Sequence, residues 1–312
     1  MVARHRIFVQ IASYCDPECA PTLVDMFAKA RHPDRIFVGI CWQYRPGEDP
    51  EACAVPPGRE KQARQLSYPA GESHGSNWAR LVAFGLAQDE EYIMVIDSHM
   101  RFEPNWDELA IAMLHACPTP RAVLSTFASN YEGKPLHLDD PNHVYRITAT
   151  KLAEANSPQI VHLGGVRTDS RTLRGPVRSP MVVFHFIFGR AAVFEEVPID
   201  PHLYFNGIEI TYSARLWTHG IDIYQPHRRL IYHQWKKAAG SYKSLAAARV
   251  ERSRQRVLHL LKMAETKDPQ ALLEIDRYKL GEVRKLEEFW PFFGIDPQKQ
   301  VLSEKAYYGQ WG

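Results

Sequence analysis

The stretch Tyr92-Ile-Met-Val-Ile-Asp97-Ser98-His99 holds the residues best placed to do chemistry: an apolar strand stops abruptly at an acidic residue, with a histidine two positions on. In open α/β sheets ligands bind beyond the carboxyl ends of strands, where this tripeptide stands. Residues i and i+2 of an extended segment point to the same side, so Asp97 and His99 can both reach one cation. A hard carboxylate with an imidazole suits Mn2+ or Mg2+ held jointly with a phosphate-bearing substrate. The plainer alternative is that Asp97 caps a turn and His99 is a partly buried ring, since such tripeptides are common. Arg80 lies on the predicted helix before this strand. Its guanidinium suits phosphate, although a surface arginine closing a helix turn is the plainer reading. Glu209 falls in the first turn of another predicted helix, where the dipole alone favours a carboxylate. His185, within Phe184-His-Phe, lies in an apolar run and reads as a core or pocket-wall ring.

Positioning these groups requires a scaffold of alternating strands and helices. Ile7 to Ala12, Ile36 to Trp42 and Tyr92 to Ile96 are short apolar runs of strand type. Between them Pro21 to Ala30 and Ser76 to Gln88 have helical period, as does Pro104 to His115 after them. This is the pattern of βαβ units and a largely parallel α/β sheet. The loop carrying Pro46, Gly47, Pro50, Pro56, Pro57 and Gly58 is too rich in proline for regular structure. From about 130 to 180 periodicity fades, and a loop-rich segment of that length is usually functional or mobile. Pattern returns with Met181 to Phe188, with Glu209 to His219 as a helix closed by Gly220, and with a strand around Leu230 to Tyr232. From Ser241 the chain reads as helical, with Val250, Val257 and Leu261 on one face and Arg249, Arg252 and Arg256 on another. Residues 1–238 are therefore expected to form a catalytic domain and 239–312 a helical extension packed on it.

Composition excludes several classes. The 312 residues carry 38 Lys+Arg against 36 Asp+Glu, a formal net charge of +2. That gives no overall electrostatic reason to bind nucleic acid or an anionic membrane. No apolar run approaches the ~20 residues of a membrane span. The N-terminus shows no hydrophobic segment with a small-residue cleavage site, so a cytoplasmic chain is expected. Five cysteines without a C-x-x-C pair indicate neither a disulfide framework nor a zinc knuckle. The even total hides a local excess, because Lys236 to Lys262 holds eight lysines and arginines against Glu251 alone. A basic arm of that kind either grips an anion or is a solvated helix face.

Asp97-Ser-His-Met-Arg-Phe102, followed by Trp106-Asp107, resembles the DSH-M/T-RF…WD stretch of a GlcNAc-transferase family related to the cytoplasmic protist enzymes that glycosylate hydroxyproline on a ubiquitin-ligase subunit. Ile7-Phe-Val-Gln-Ile-Ala-Ser-Tyr-Cys-Asp16 is similar to that family's opening strand and Arg35-Ile-Phe-Val-Gly-Ile-Cys-Trp-Gln43 to its second. Glu72-Ser73, Gly75 and Trp78-Ala-Arg80 match the segment before the DSH strand. Val197-Pro-Ile-Asp-Pro-His-Leu-Tyr-Phe205, Glu209-Ile210 and Arg215-Leu-Trp-Thr-His-Gly220 resemble its VPYDPxLYFxGEEI…RxWTHG block. Leu280-Gly281, Arg284, Leu286 and Gly294-Ile-Asp296 resemble its C-terminal end, leaving about 130 to 180 unmatched.

The resemblance implies a GT-A glycosyltransferase: a Rossmann-like nucleotide-sugar-binding domain that uses a divalent cation, Mn2+ or Mg2+, and a UDP-sugar, most simply UDP-GlcNAc, and transfers with retention to a hydroxyl of a protein or peptide. A glycan or small-molecule acceptor, or a non-catalytic nucleotide-sugar-binding protein, are the alternatives. By the same resemblance Asp97 and His99 stand at the DxD-type metal motif, with Ser98 between them contributing to donor binding. Ser13, Tyr14 and Asp16 stand where such folds grip uracil and ribose, though Asp16-Pro17 is also simply a good turn. Arg80 is expected at the diphosphate or donor sugar, and Glu209 at the acceptor hydroxyl or the anomeric centre. A third metal ligand is expected from His233, after a predicted strand; His227, flanked by Pro226 and Arg228-Arg229, is the rival. Aromatic residues near this site, Trp42, Trp78, Tyr204, Phe205 and Trp235, are candidates for sugar-stacking walls or for core. In a retaining front-face mechanism the departing phosphate can take the acceptor proton, so no dedicated protein base is required. Two departures stand out: Cys15 where the family usually has arginine, and Ile208 where it usually has the first glutamate of Gly-Glu-Glu.

Overall fold

The side chains of the first strand, β1 (Ile7–Tyr14), alternate between two apolar environments. Ile7, Val9 and Ile11 enter the core on one face of a sheet, and Phe8 the core on the other. A strand buried on both faces is the mark of a sheet covered by helices on each side, and burial of each such side chain contributes ~1.5–3 kcal/mol. The computed structural model describes residues 5–47, 51–132, 137–138, 140, 142–154, 157–235 and 247–311.

After β1 the chain forms α1 (Cys19–Lys29), β2 (Ile36–Tyr44), β3 (Ala63–Pro69), α2 (Ser76–Phe84), β4 (Tyr92–Asp97), β5 (Met100–Phe102) and α3 (Trp106–His115). Its middle third supplies β6 (Ala122–Ser125), β7 (Ser129–Glu132), β8 (His137–Leu138), β9 (His143–Leu152), β10 (Val161–Asp169), β11 (Val177–Ser179), β12 (Phe186–Arg190) and α4 (Ala191–Glu196). There follow α5 (Ile208–Thr218), β13 (Asp222–Gln225), β14 (Ile231–His233), α6 (Ala247–Leu260), α7 (Leu286–Phe293), β15 (Ile295–Asp296), β16 (Val301–Leu302) and α8 (Glu304–Tyr308).

Eight strands make one sheet in the order β11-β13-β6-β12-β4-β1-β2-β3. β4, β1, β2 and β3 are parallel, as are β13 and β6, while β12 and β11 oppose their neighbours. α1 lays Leu23, Met26 and Phe27 on the face that holds Ile7, Val9 and Ile11. The strand order reverses at β1 and β4, and an open sheet of this kind leaves a crevice beyond their carboxyl ends. A second sheet, β5-β14-β7-β8, meets the first through the short link between β4 and β5. α6 and α7 send Val257, Leu258, Phe289 and Phe293 into the same core as Ile210 and Leu216 of α5.

Three expectations need correction. The segment 130–180 is not mainly loop: β9 and β10 form a long antiparallel ribbon, flanked by β7, β8 and β11. Gly164-Gly165 and a register shift between His162 and Leu163 break the two-residue period there. β3 lacks the apolar run of the other parallel strands because it is a partly exposed edge strand ending in proline. Beyond 247 the chain is only partly helical, since turns and the two-residue strands β15 and β16 separate α6, α7 and α8. The expected boundary at 238 lies outside the described residues.

Candidate active site

β4 delivers Asp97 to the carboxyl edge of the large sheet, beside Ala12 of β1. Ser98 and His99 then bend the chain into β5, whose Met100 pairs with His233 at the end of β14. The bend is pinned by α1: the buried Thr22 hydroxyl donates to the Ser98 carbonyl (2.8 Å) and accepts from the Met100 N–H (2.9 Å). Asp97 and His99 thus converge through a bend joining two sheets, and not as an extended i, i+2 pair. His233 Nε2 lies 3.2 Å from Asp97 Oδ2 and 3.1 Å from His99 Nε2. His99 Nε2 is 3.7 Å from the same carboxylate oxygen. One carboxylate and two imidazoles whose ligand atoms all lie within 4.8 Å of one another form a donor set that suits a divalent cation.

The outer side of this set is equally ordered. Asp16 Oδ2 accepts from His99 Nδ1 (2.6 Å) and from the Ser98 hydroxyl (2.6 Å). The network therefore assigns the proton to Nδ1 of His99 and leaves Nε2 as the ligating atom, the arrangement by which a carboxylate orients a metal-binding histidine. Arg80, 6% exposed, donates to Asp97 Oδ1 at 3.1 Å and lies 4.8 Å over the Phe184 ring. Burial pushes the Asp97 carboxyl up, but the His233 hydrogen bond and the charges of His99 and Arg80 outweigh it and hold the group well below the usual carboxylate range. Asp16 is likewise lowered, burial being offset by the hydrogen bond and charge of His99.

Asp97 and Arg80 face a cleft of ≈ 810 Å³ whose walls also include Tyr14 and Glu209. Glu209 is brought there by α5, whose entry turns on Gly207 at φ +84°. A side chain at that position would run into the Pro158 carbonyl and Val257. Burial raises the Glu209 carboxyl to about 7, with the Asp97 charge adding to the rise and Arg80 opposing it. Ser13 is fully buried, its carbonyl accepting from Gln43 Nε2 (3.3 Å). Asp16 and Ser98, expected at the nucleotide, hydrogen-bond to each other, and Asp16 also bonds His99. Cys15, half-buried at φ +48°, ends the strand between Tyr14 and Asp16. Ile208, buried with the core, is itself part of the cleft wall beside Glu209. His227 lines a different cleft with Arg228 and Arg229.

Further residues complete the cleft wall. His185 is the pocket-wall ring that its apolar run suggested: Nε2 accepts from the Ala128 N–H (3.0 Å), and the ring centroid is 5.0 Å from that of His233. Burial, then the His233 charge, lowers it to about 3, so it stays neutral. His162 of β10 and Arg249 of α6 also reach the cleft, Arg249 donating to the Ser73 carbonyl. Of the aromatic candidates Tyr204, Phe205 and Trp235 line the cleft, whereas Trp42 packs on Tyr44 and Trp78 on Tyr68. Phe127, unremarked in sequence, stacks on Trp235 at 11°. Of the basic arm, Lys236, Lys237 and Lys243 lie outside the described residues; Arg254 pairs with Glu251, and Arg256 is fully buried rather than on a solvated face.

A family model described as Glycosyltransferase (GlcNAc) matches residues 6–62 and 58–299 of the chain. No curated protein sequence matches it. Among solved structures it is similar to GalNAc-T7 with UDP, GalNAc and Mn2+, at TM-score 0.61 and 12% identity over 94% of this chain, and it spans 56% of that chain. It is also similar to S. aureus TarS 1-349 in complex with UDP-GlcNAc, at TM-score 0.50 and 14% identity over 88% of this chain and 72% of that one. At such identities the likeness is one of fold: a large mixed sheet flanked by helices.

Proposed function

The chain belongs to the GlcNAc glycosyltransferase family and has the GT-A fold, and from that premise we propose that its cleft binds UDP-GlcNAc with a divalent cation and transfers the sugar, with retention, to a hydroxyl of a protein or peptide. The observation that carries this reading is the convergence of Asp97, His99 and His233, backed by Arg80, at the carboxyl edge of β1 and β4. The UDP-GlcNAc held by S. aureus TarS 1-349 and the Mn2+ held by GalNAc-T7, proteins of like fold, support the choice of donor and cation.

Asp97, His99 and His233 would hold the cation, Mn2+ or Mg2+. When bound it supplies positive charge against the negative charge of a departing diphosphate. Arg80 adds a fixed cation at the same wall, already desolvated and aimed by its own partners. Tyr14, at the end of β1, borders the nucleotide end, while Asp16 and Ser98 act through His99. Glu209 faces Asp97 and Arg80 across the cleft and orients the acceptor hydroxyl or the anomeric centre. The ribbon of β9 and β10 contributes His162 and Leu163 to the wall and is the acceptor side. A hydroxyproline-bearing protein, as for the protist enzymes that the sequence resembles, is the acceptor to try first. The coplanar Phe127–Trp235 pair, with Trp235 40% exposed on the rim, favours a second reading, a glycan acceptor.

The test is UDP release with Mn2+ and a panel of UDP-sugars. Turnover of UDP-GlcNAc that EDTA abolishes, and that Asp97→Ala and His99→Ala each abolish with the fold intact, is the expected result. Absence of any UDP-sugar turnover or binding overturns the assignment, and a β-linked product in the NMR spectrum overturns retention.

A further inference from the structure

A line of buried polar groups runs from α6, in the C-terminal part of the chain, to Asp97. Arg256, fully buried on α6, donates from Nε to Asp200 Oδ2 at 2.7 Å. Its Nη1 is tied to the carbonyls of Ala271 (2.8 Å) and Leu273 (2.9 Å), so the guanidinium is clamped from both sides. Asp200, 2% exposed, also accepts the His202 N–H through Oδ1 (3.0 Å). That double hold fixes the turn and with it the Asp200 carbonyl, which accepts from Asn77 Nδ2 at 3.0 Å. Asn77, 2% exposed on α2, then has one amide orientation only: Nδ2 towards Asp200, Oδ1 towards Arg80. Arg80 Nη1 donates to that Oδ1 at 3.4 Å and Nη2 to Asp97 Oδ1 at 3.1 Å. Each buried group has its polar partner in the next, and none of Asn77, Asp200 or Arg256 lines the cleft.

We propose that Arg256, Asp200 and Asn77 are positioning residues for the metal centre: they set the place of Arg80 and, through it, the rotamer of Asp97 that turns Oδ2 towards His99 and His233. The proposal rests on the reading of Asp97, His99 and His233 as cation ligands. Its physical basis is that an Arg80 bound to Asn77 engages one carboxylate oxygen of Asp97 and leaves the other for the cation. An Arg80 released from Asn77 can slide to a bidentate pairing with Asp97, the geometry that guanidinium and carboxylate prefer, and so compete with the cation. A C-terminal helix far along the chain thereby becomes part of the centre's outer support.

The test measures Mn2+ binding to the full chain by the EPR signal of the free ion, with UDP present, at a temperature well below unfolding. Asn77→Leu keeps the shape and deletes both amide bonds. Arg256→Lys keeps the charge but loses the fork, and serves should Asn77→Leu fail to fold. Each is expected to weaken Mn2+ binding, Asn77→Leu by about 10-fold, the lower end for outer-shell partners. The double variant is expected to lose less than the product of the single losses, because both act on one path. Mn2+ binding within two-fold of wild type in both single variants, while Arg80→Ala weakens it, overturns the proposal and leaves the metal-site reading standing. Wild-type protein that binds no Mn2+ overturns the metal-site reading and the proposal with it.

Discussion

His99 serves two partners on opposite edges of one ring, Asp16 at Nδ1 and the Asp97–His233 pair at Nε2. In the proposed reading Asp16 stands behind the cation ligands, and Asp16→Asn is expected to weaken Mn2+ binding by about 10- to 100-fold while UDP binding without metal is unchanged. Loss of metal-free UDP affinity in that variant would return Asp16 to the nucleotide. Glu209 offers a separate check, through stability. Burial raises its carboxyl from 4.5 to about 7, so the folded state binds the proton more tightly than the unfolded state. The associated stability is complete below pH 4.5 and is lost as pH rises to about 7. Glu209→Gln should accordingly raise Tm relative to wild type at pH 8 and change it little at pH 4; a pH-independent difference would refute the raised carboxyl. Asp97 and His99 were legible in the sequence because a carboxylate and, two positions on, an imidazole end one apolar run. The placing of Asp16 was not, because its role depends on the Ser98–His99 bend, 82 to 83 residues further along.

At the scale of elements, the centre depends on how α1, β5 and β14 meet. Thr22 holds the Ser98 carbonyl and the Met100 N–H with one hydroxyl. Thr22→Val fills the same space and leaves both backbone groups without that partner, at a cost of about 1–3 kcal/mol. A fall in the urea midpoint together with weaker Mn2+ binding is expected; a variant matching wild type in both would show that the bend stands without α1. Strands buried on both faces, such as β1 and β4, could be read directly from their apolar runs. The ribbon of β9 and β10 could not, since its exposed face carries polar residues, its paired glycines dilute the pattern, and a register shift at His162 reverses the alternation. His162 and Leu163, the ribbon residues that reach the cleft, sit at that irregularity.

For the whole molecule, the packing of α6 and α7 bears on how far the chain divides. Val257, Leu258, Phe289 and Phe293 share a core with Ile210 and Leu216, and Arg256 is the ion-pair partner of the buried Asp200. Uncovering that core and stranding a buried carboxylate costs several kcal/mol, comparable with the ~5–15 kcal/mol that holds a typical domain folded. A chain ending at residue 238 is therefore expected to lack a cooperative thermal transition by circular dichroism; a sharp melt would establish the first part as independently stable. Among the described residues no helix is long and apolar enough to cross a membrane. The distribution of thiols has a practical consequence. Cys19, Cys41, Cys53 and Cys117 are buried, and burial pushes Cys41 and Cys117 up to about 12, whereas Cys15 is half-buried at the mouth of β1 beside Tyr14. A maleimide dye should therefore attach once per folded molecule, at Cys15, as peptide mass mapping would verify, and a fluorescence change on adding UDP would report on the proposed nucleotide end of the cleft without a coupled assay.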